Sequence, residues 1–165
     1  MFVRVKGVRI HYEAPHSVRG DCGRIILLVH GASGTLNVWE PQIEHLGNKH
    51  TPIAVDLPGH GDSDGEPVEN LEEFTKFILE FCRELQIGKT VYCGHSMGGA
   101  IGLLLAVTDP SLFDGLVLVG SGAKFNVSPD RIGRMLEDSG NERIEARTRI
   151  FSRNTSLSLI ERVEY

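Results

Sequence analysis

No stretch of this 165-residue chain is apolar for long enough to cross a bilayer. The longest glycine-free runs, Ile25 to Val29 and Leu103 to Val107, are a fraction of the roughly 20 residues a helical span needs. The opening "MFVRVKG" lacks the apolar core of a signal segment, so a soluble, cytoplasmic protein with no membrane partner is expected. Cysteine is scarce: Cys22, Cys82 and Cys93 are odd in number and show no CxxC spacing, which argues against a disulfide framework or a zinc site. Free thiols are expected, and no metal and no cofactor. Basic clusters are also lacking. With 17 Lys and Arg against 22 Asp and Glu the net charge is −5, so no nucleic-acid partner is expected. Repeats and low-complexity segments are absent, and no histidine follows His95.

What remains is ordinary for one globular domain, 41% hydrophobic and 24% charged. "FVRVKGVRIHYEAP" reads as two alternating strands turning near Lys6-Gly7, and "RIILLVH" as a strand buried on both faces. A helix is predicted from about Leu36 to Leu46, then a strand, "TPIAVDL", and a loop, "PGHGDSDGEP". Asn70 and Glu73 look like a helix start, with Leu71, Phe74, Phe77, Ile78, Phe81 and Leu85 on one face. "KTVYCGH", an all-round apolar helix from Ala100 to Val107 and "DGLVLVG" complete the series. The fold class expected is therefore α/β, a mostly parallel sheet flanked by helices. Two segments are drawn: 1–122 as the N-terminal part of the core, and 123–165 as a helical cap segment expected to be truncated, with Ser128-Pro129 starting one helix over Ile132, Met135 and Leu136 and Asn141 starting another.

"VYCGHSMGGA" places one hydroxyl, Ser96, between a strand and a helix. Ligand crevices of parallel sheets form at the carboxyl ends of the strands, so Ser96 stands at such a crevice. Gly94, Ser96 and Gly98 match G-x-S-x-G in the strand-turn-helix context that gives the pattern meaning: a turn too tight for side chains at the glycines, a serine pushed outward, and a helix N-terminus for a developing oxyanion. Other motifs fit less well. "GKT" at 88–90 has Arg83 where a phosphate loop needs glycine, Ser96 replaces a glycine of a dinucleotide fingerprint, and "DSDG" at 62–65 lacks the rest of a calcium loop. The "RGD" at 19–21 and the sequons at Asn126 and Asn154 are read as chance.

Together, "VHGASGT", "VDLPGHGDSDG" and "CGHSMGGA" resemble the α/β-hydrolase superfamily in its cap-bearing, serine-nucleophile branch, over roughly Phe2 to Gly122. The resemblance implies Ser96 as nucleophile and the backbone N–H groups of Ala32 and Met97 as the oxyanion hole. It implies that His30, Gly31, Gly94, His95 and Gly98 shape the two loops. Trp39 reads as pocket lining or as plain core, and His60 as structural support for its loop.

The chain departs from the family where a base is needed. A serine hydroxyl requires a general base and that base a carboxylate, and the family places both after the nucleophile. Here Gly120, Ser121 and Gly122 occupy the early acid position, and no later histidine exists. The expectation is a hydrolase acting on a small-molecule ester, thioester, amide or C–C bond substrate whose acid and base are absent from these 165 residues. The alternatives are a non-catalytic ligand-binding protein on the same fold and an acyltransferase. An exposed sheet edge is expected as well, favouring self-association or a complementing C-terminal segment.

Overall fold

The structure, a computed structural model, describes residues 1–15, 23–32, 34–66, 68 and 70–122. The helices expected at Ser128-Pro129 and Asn141, and the sequons, lie outside the described residues, as do His16, Cys22 and the RGD stretch. Among the described residues six strands form one sheet: β1 (Phe2–Val5), β2 (Val8–Glu13), β3 (Ile25–Val29), β4 (Thr51–Val55), β5 (Thr90–His95) and β6 (Phe113–Val119). Their order is β1-β2-β4-β3-β5-β6. The last four run parallel, and the first two join antiparallel. The α/β expectation of a mostly parallel sheet with helices is met.

Continuous apolar sequence becomes double-sided burial. All five residues of β4 are buried, Pro52 among them. A proline in an inner strand is tolerated here because β2 pairs with β4 only at Tyr12–Val55 and Glu13–Ala54, leaving the flank at Pro52 unpaired. Among the described residues three α-helices connect the strands: α1 (Glu40–Leu46), α2 (Leu71–Glu84) and α3 (Met97–Thr108). The first begins later than its sequence suggests. Thr35 caps a 3₁₀ turn, Leu36–Trp39, and the α-helix starts only at Glu40. Pro41 supplies no N–H, so a continuous α ladder through this turn is interrupted.

The start of α2 is a reciprocal cap: Asn70 Oδ1 accepts from the Glu73 N–H at 2.9 Å while Asn70 Nδ2 donates to Glu73 Oε1 at 3.3 Å. Its predicted face is the buried one, with Phe74, Ile78 and Phe81 in the main core beside Tyr92, Ile101 and Leu105. On the other side of the sheet, Leu28, Leu36, Trp39, Ala54 and Cys93 form a smaller core. Cys82 and Cys93 are buried free thiols. The helix α3 starts three residues earlier than expected, through Gly98 and Gly99, because closeness to the sheet outweighs the poor helix propensity of glycine. At the end of the sheet, β6 leaves Val117, Leu118 and Val119 exposed by 45%, 38% and 41%, burial far below that of the other parallel strands. Among the described residues it is an edge strand, as the sequence suggested.

Candidate active site

Three loops leave the carboxyl ends of β3, β4 and β5 side by side. The sharpest is at Ser96, with φ 50° and ψ −114° between the end of β5 and the first residue of α3. Such backbone costs about 1–3 kcal/mol for a residue with a side chain and persists only where its surroundings over-determine it. Here both peptide groups of Ser96 are held. Its N–H donates to the Val119 carbonyl at 3.0 Å, and its carbonyl accepts from the Gly99 and Ala100 N–H groups at 3.0 and 3.2 Å and from Ser121 Oγ at 2.8 Å.

The flanking glycines are required by contact. A Cβ on Gly94 would fall on the Gly98 carbonyl, and one on Gly98 would fall on the Val29 carbonyl. Tyr92 locks the same place from below, its hydroxyl donating to the Gly98 carbonyl at 2.7 Å. Full burial pushes the Tyr92 phenol well above its ordinary range, so it stays protonated and remains a donor.

The loop after β3 lies against this turn. A Cβ built on Gly31 would sit 3.0 Å from Ser96 Cβ, so a side chain there would crowd the serine. Ala32 follows, exposed. Among the described residues neither the Ala32 nor the Met97 N–H donates to a protein acceptor. His30 is fully buried and uses both ring nitrogens. Its Nε2 accepts from the Leu57 N–H at 3.0 Å, which leaves the proton on Nδ1, donating to the Gly31 carbonyl at 2.7 Å. Burial pushes His30 down to about 4, so the ring is neutral at neutral pH and has no nitrogen free to act as a base. His95 is lowered by burial too.

Sequence reasoning passed over the residue that organises the loop after β4. Asp56, 2% exposed, accepts from the Leu36 N–H at 2.7 Å, the Asp62 N–H at 3.1 Å and His11 Nδ1 at 2.8 Å. Ser63 completes the arrangement, its hydroxyl donating to the Asp56 carbonyl at 2.7 Å and accepting from the His11 N–H at 2.8 Å. The available signal was an acid directly after the apolar run Pro52–Val55, where burial is to be expected. His60, read as loop support, donates from its ring Nδ1 to the Pro58 carbonyl at 2.9 Å, with its ring centroid 5.1 Å from that of His30.

Ser96, Gly31, Gly94, His95 and Gly98 are thus brought together, with the backbones of Ala32 and Met97 beside them. No hydrogen bond among the described residues joins Ser96 Oγ to a histidine. His11 is engaged with Asp56, and His50 Nδ1 accepts from the Arg24 N–H at 3.4 Å at the opposite end of β3. Trp39 is 5% exposed in the smaller core, and its Nε1 is the one buried side-chain polar atom without a partner among the described residues. Among those residues, no three His, Cys, Asp or Glu groups converge as metal ligands, and no helix is long and apolar enough to cross a membrane.

The sequence model of the family described as alpha/beta hydrolase fold matches residues 24–147. The chain is 33% identical over 119 residues to the dihydrolipoyllysine-residue acetyltransferase component of the acetoin cleaving system of Cupriavidus necator, covering 72% of this chain and 31% of that protein. It is 37% identical over 117 residues to the putative carbamate hydrolase RutD of Agrobacterium fabrum, covering 70% of this chain and 44% of that one. The chain therefore spans less than half the length of these two relatives. A thermophilic esterase from Thermogutta terrifontis matches in structure with a TM-score of 0.80 at 26% identity, over 98% of this chain and 62% of that one.

Proposed function

The chain belongs to the α/β-hydrolase family, and from that premise we propose that the protein is a serine hydrolase that cleaves a small acyl compound by acyl transfer through Ser96. The Ser96 hydroxyl oxygen attacks the substrate carbonyl carbon. The oxygen that becomes negative is received by the Ala32 and Met97 N–H groups and the positive end of α3. Loss of the leaving group gives an acyl-serine, and water then releases the acid. The general base, which takes the Ser96 proton and passes it to the leaving group and then does the same for water, comes with its carboxylate from outside the described residues. The single observation that carries this reading is the backbone of Ser96, held at φ 50° and ψ −114° against the N-terminus of α3. A plain glycine-rich turn has no reason to strain its one serine.

A small-molecule ester, thioester, amide or carbamate suits this chemistry, and relatives named as a carbamate hydrolase and an esterase support that range. A second reading, acyl transfer to an acceptor other than water, is supported by the relative named as an acetyltransferase component. Both run through the same acyl-serine and differ only in what attacks it.

The test is fluorophosphonate labelling and short-chain aryl ester turnover of the full-length protein, with Ser96→Ala alongside. Labelling at Ser96, and a loss on the order of 10⁴-fold or more in the variant, are expected. Turnover near the parent level in Ser96→Ala refutes the reading. An added alcohol or thiol acceptor that diverts the acyl group from water favours the second reading.

A further inference from the structure

The peptide unit joining Ser96 to Met97 carries two groups at once. One end is the Ser96 carbonyl and the other is the Met97 N–H, and the unit is planar, so whatever fixes the carbonyl fixes the N–H direction. Two of the three donors to that carbonyl, the Gly99 and Ala100 N–H groups, belong to the first turn of α3. The third is a side chain from elsewhere: Ser121 Oγ, 2.8 Å away, from the segment after β6.

Two glycines make that contact possible. Gly120 has φ +54°, in the left-handed region, and turns the chain just after Val119, whose carbonyl holds the Ser96 N–H. Gly99 leaves the space that Ser121 fills, since a Cβ there would strike Ser121 Cβ and Oγ. The end of β6 therefore grips the strained residue on both sides, Val119 at its N–H and Ser121 at its carbonyl.

We propose that Ser121 is a positioning residue for catalysis, its hydroxyl setting the Ser96–Met97 peptide plane so that the Met97 N–H faces the developing oxyanion. The inference rests on Ser96 being the nucleophile. An N–H aimed at the wrong angle still permits substrate to bind but stabilises the transition state less, so the effect falls on kcat and not on KM. Ser121→Ala keeps the helix-turn donors to the Ser96 carbonyl, so the fold persists while the plane loosens.

The experiment measures ester turnover by the full-length protein for the parent, Ser121→Ala, Ser121→Thr and Ser96→Ala, with thermal unfolding of each. Ser121→Ala is expected to lower kcat by about tenfold with KM within about twofold, smaller than deletion of an oxyanion donor because the N–H is misaimed and not removed. Ser121→Thr, which retains the hydroxyl, is expected to recover most of the loss. A kcat for Ser121→Ala within about twofold of the parent, or a Ser121→Thr loss as large as that of Ser121→Ala, overturns the assignment. If Ser96→Ala also turns over substrate, the nucleophile reading itself falls; if Ser96→Ala is dead while kcat of Ser121→Ala stays within about twofold of the parent, only the role of Ser121 falls.

Discussion

Acidification should attack this fold at His30. The ring is fully buried, its two nitrogens are committed to the Leu57 N–H and the Gly31 carbonyl, and a second proton would have to displace the Leu57 donor. Burial is the main cause of its low value, about 4 against an ordinary 6.5; His60 and His95 lower it further, while the Gly31 carbonyl and Asp56 act in the opposite direction. Because the folded value is the depressed one, the unfolded chain takes up the proton first as pH falls. Stability from this source is complete above about pH 6.5 and is lost progressively toward pH 4, a change of about 3 kcal/mol. The assay is equilibrium urea unfolding between about pH 7 and pH 4 for the parent and His30→Gln, since glutamine offers a donor and an acceptor but does not titrate in this range. His60, His95 and the carboxylates are common to both proteins, so the readout is the difference in slope. The parent is expected to lose about 3 kcal/mol more than the variant across that interval, although the variant starts lower at neutral pH. Parallel slopes would show that His30 takes its proton within the folded state at no cost, and would refute the buried, doubly bonded ring.

Two further outcomes follow from the same geometry. Ala32→Pro, which deletes a proposed oxyanion donor, should reduce the kcat proposed for the full-length protein by about 10² to 10³ while the variant stays folded by circular dichroism; an unchanged kcat removes Ala32 from the site. The 165-residue chain should self-associate through β6, where Val117 and Val119 lie exposed on one face, and Val117→Lys should reduce that association in sedimentation velocity. Equal association of parent and variant refutes the edge as its cause.

Much of the fold is legible in the residues because burial leaves a local trace. The five buried residues of β4 and the apolar face of α2 are spelled out in consecutive or helically spaced side chains. The Ser96 turn is legible for a related reason: its two glycines and serine fall within five residues, between a strand pattern and a helix pattern. The 3₁₀ turn ahead of α1 was not foreseen, although Pro41 marks it: proline is favoured in a first helical turn and disfavoured inside a helix, which fits an α-helix starting at Glu40 and not at Leu36. Asp56 is marked only as an acid directly after a buried strand, and the partners of Asp56 and Ser121 leave no local trace. Asp56 meets His11 across 45 positions, and Ser121 meets Ser96 across 25. Pro58 and Gly59 shortly after Asp56, and Gly120 and Gly122 around Ser121, mark loops but not what the loops touch.

What those long-range contacts share is position. His30, Asp56 and Ser96 are each the first residue beyond a parallel strand, and Ser121 stands two beyond β6. Each finds its partner in the loop of an adjacent strand: His30 bonds Leu57 after β4, Asp56 bonds Leu36 in the segment after β3, Ser96 bonds the end of β6, and Ser121 bonds Ser96 in return. The loops are therefore cross-linked in pairs, β3 with β4 and β5 with β6, and the pairs meet where Gly31 abuts Ser96. Such a layer answers a specific difficulty. Strands buried on both faces must end in loops whose backbone polar groups are half-sheltered from water, and unpaired groups there cost about 1–3 kcal/mol each. Polar residues placed at the strand ends satisfy those groups and, by the same bonds, hold Ser96 in a conformation that an isolated turn would abandon.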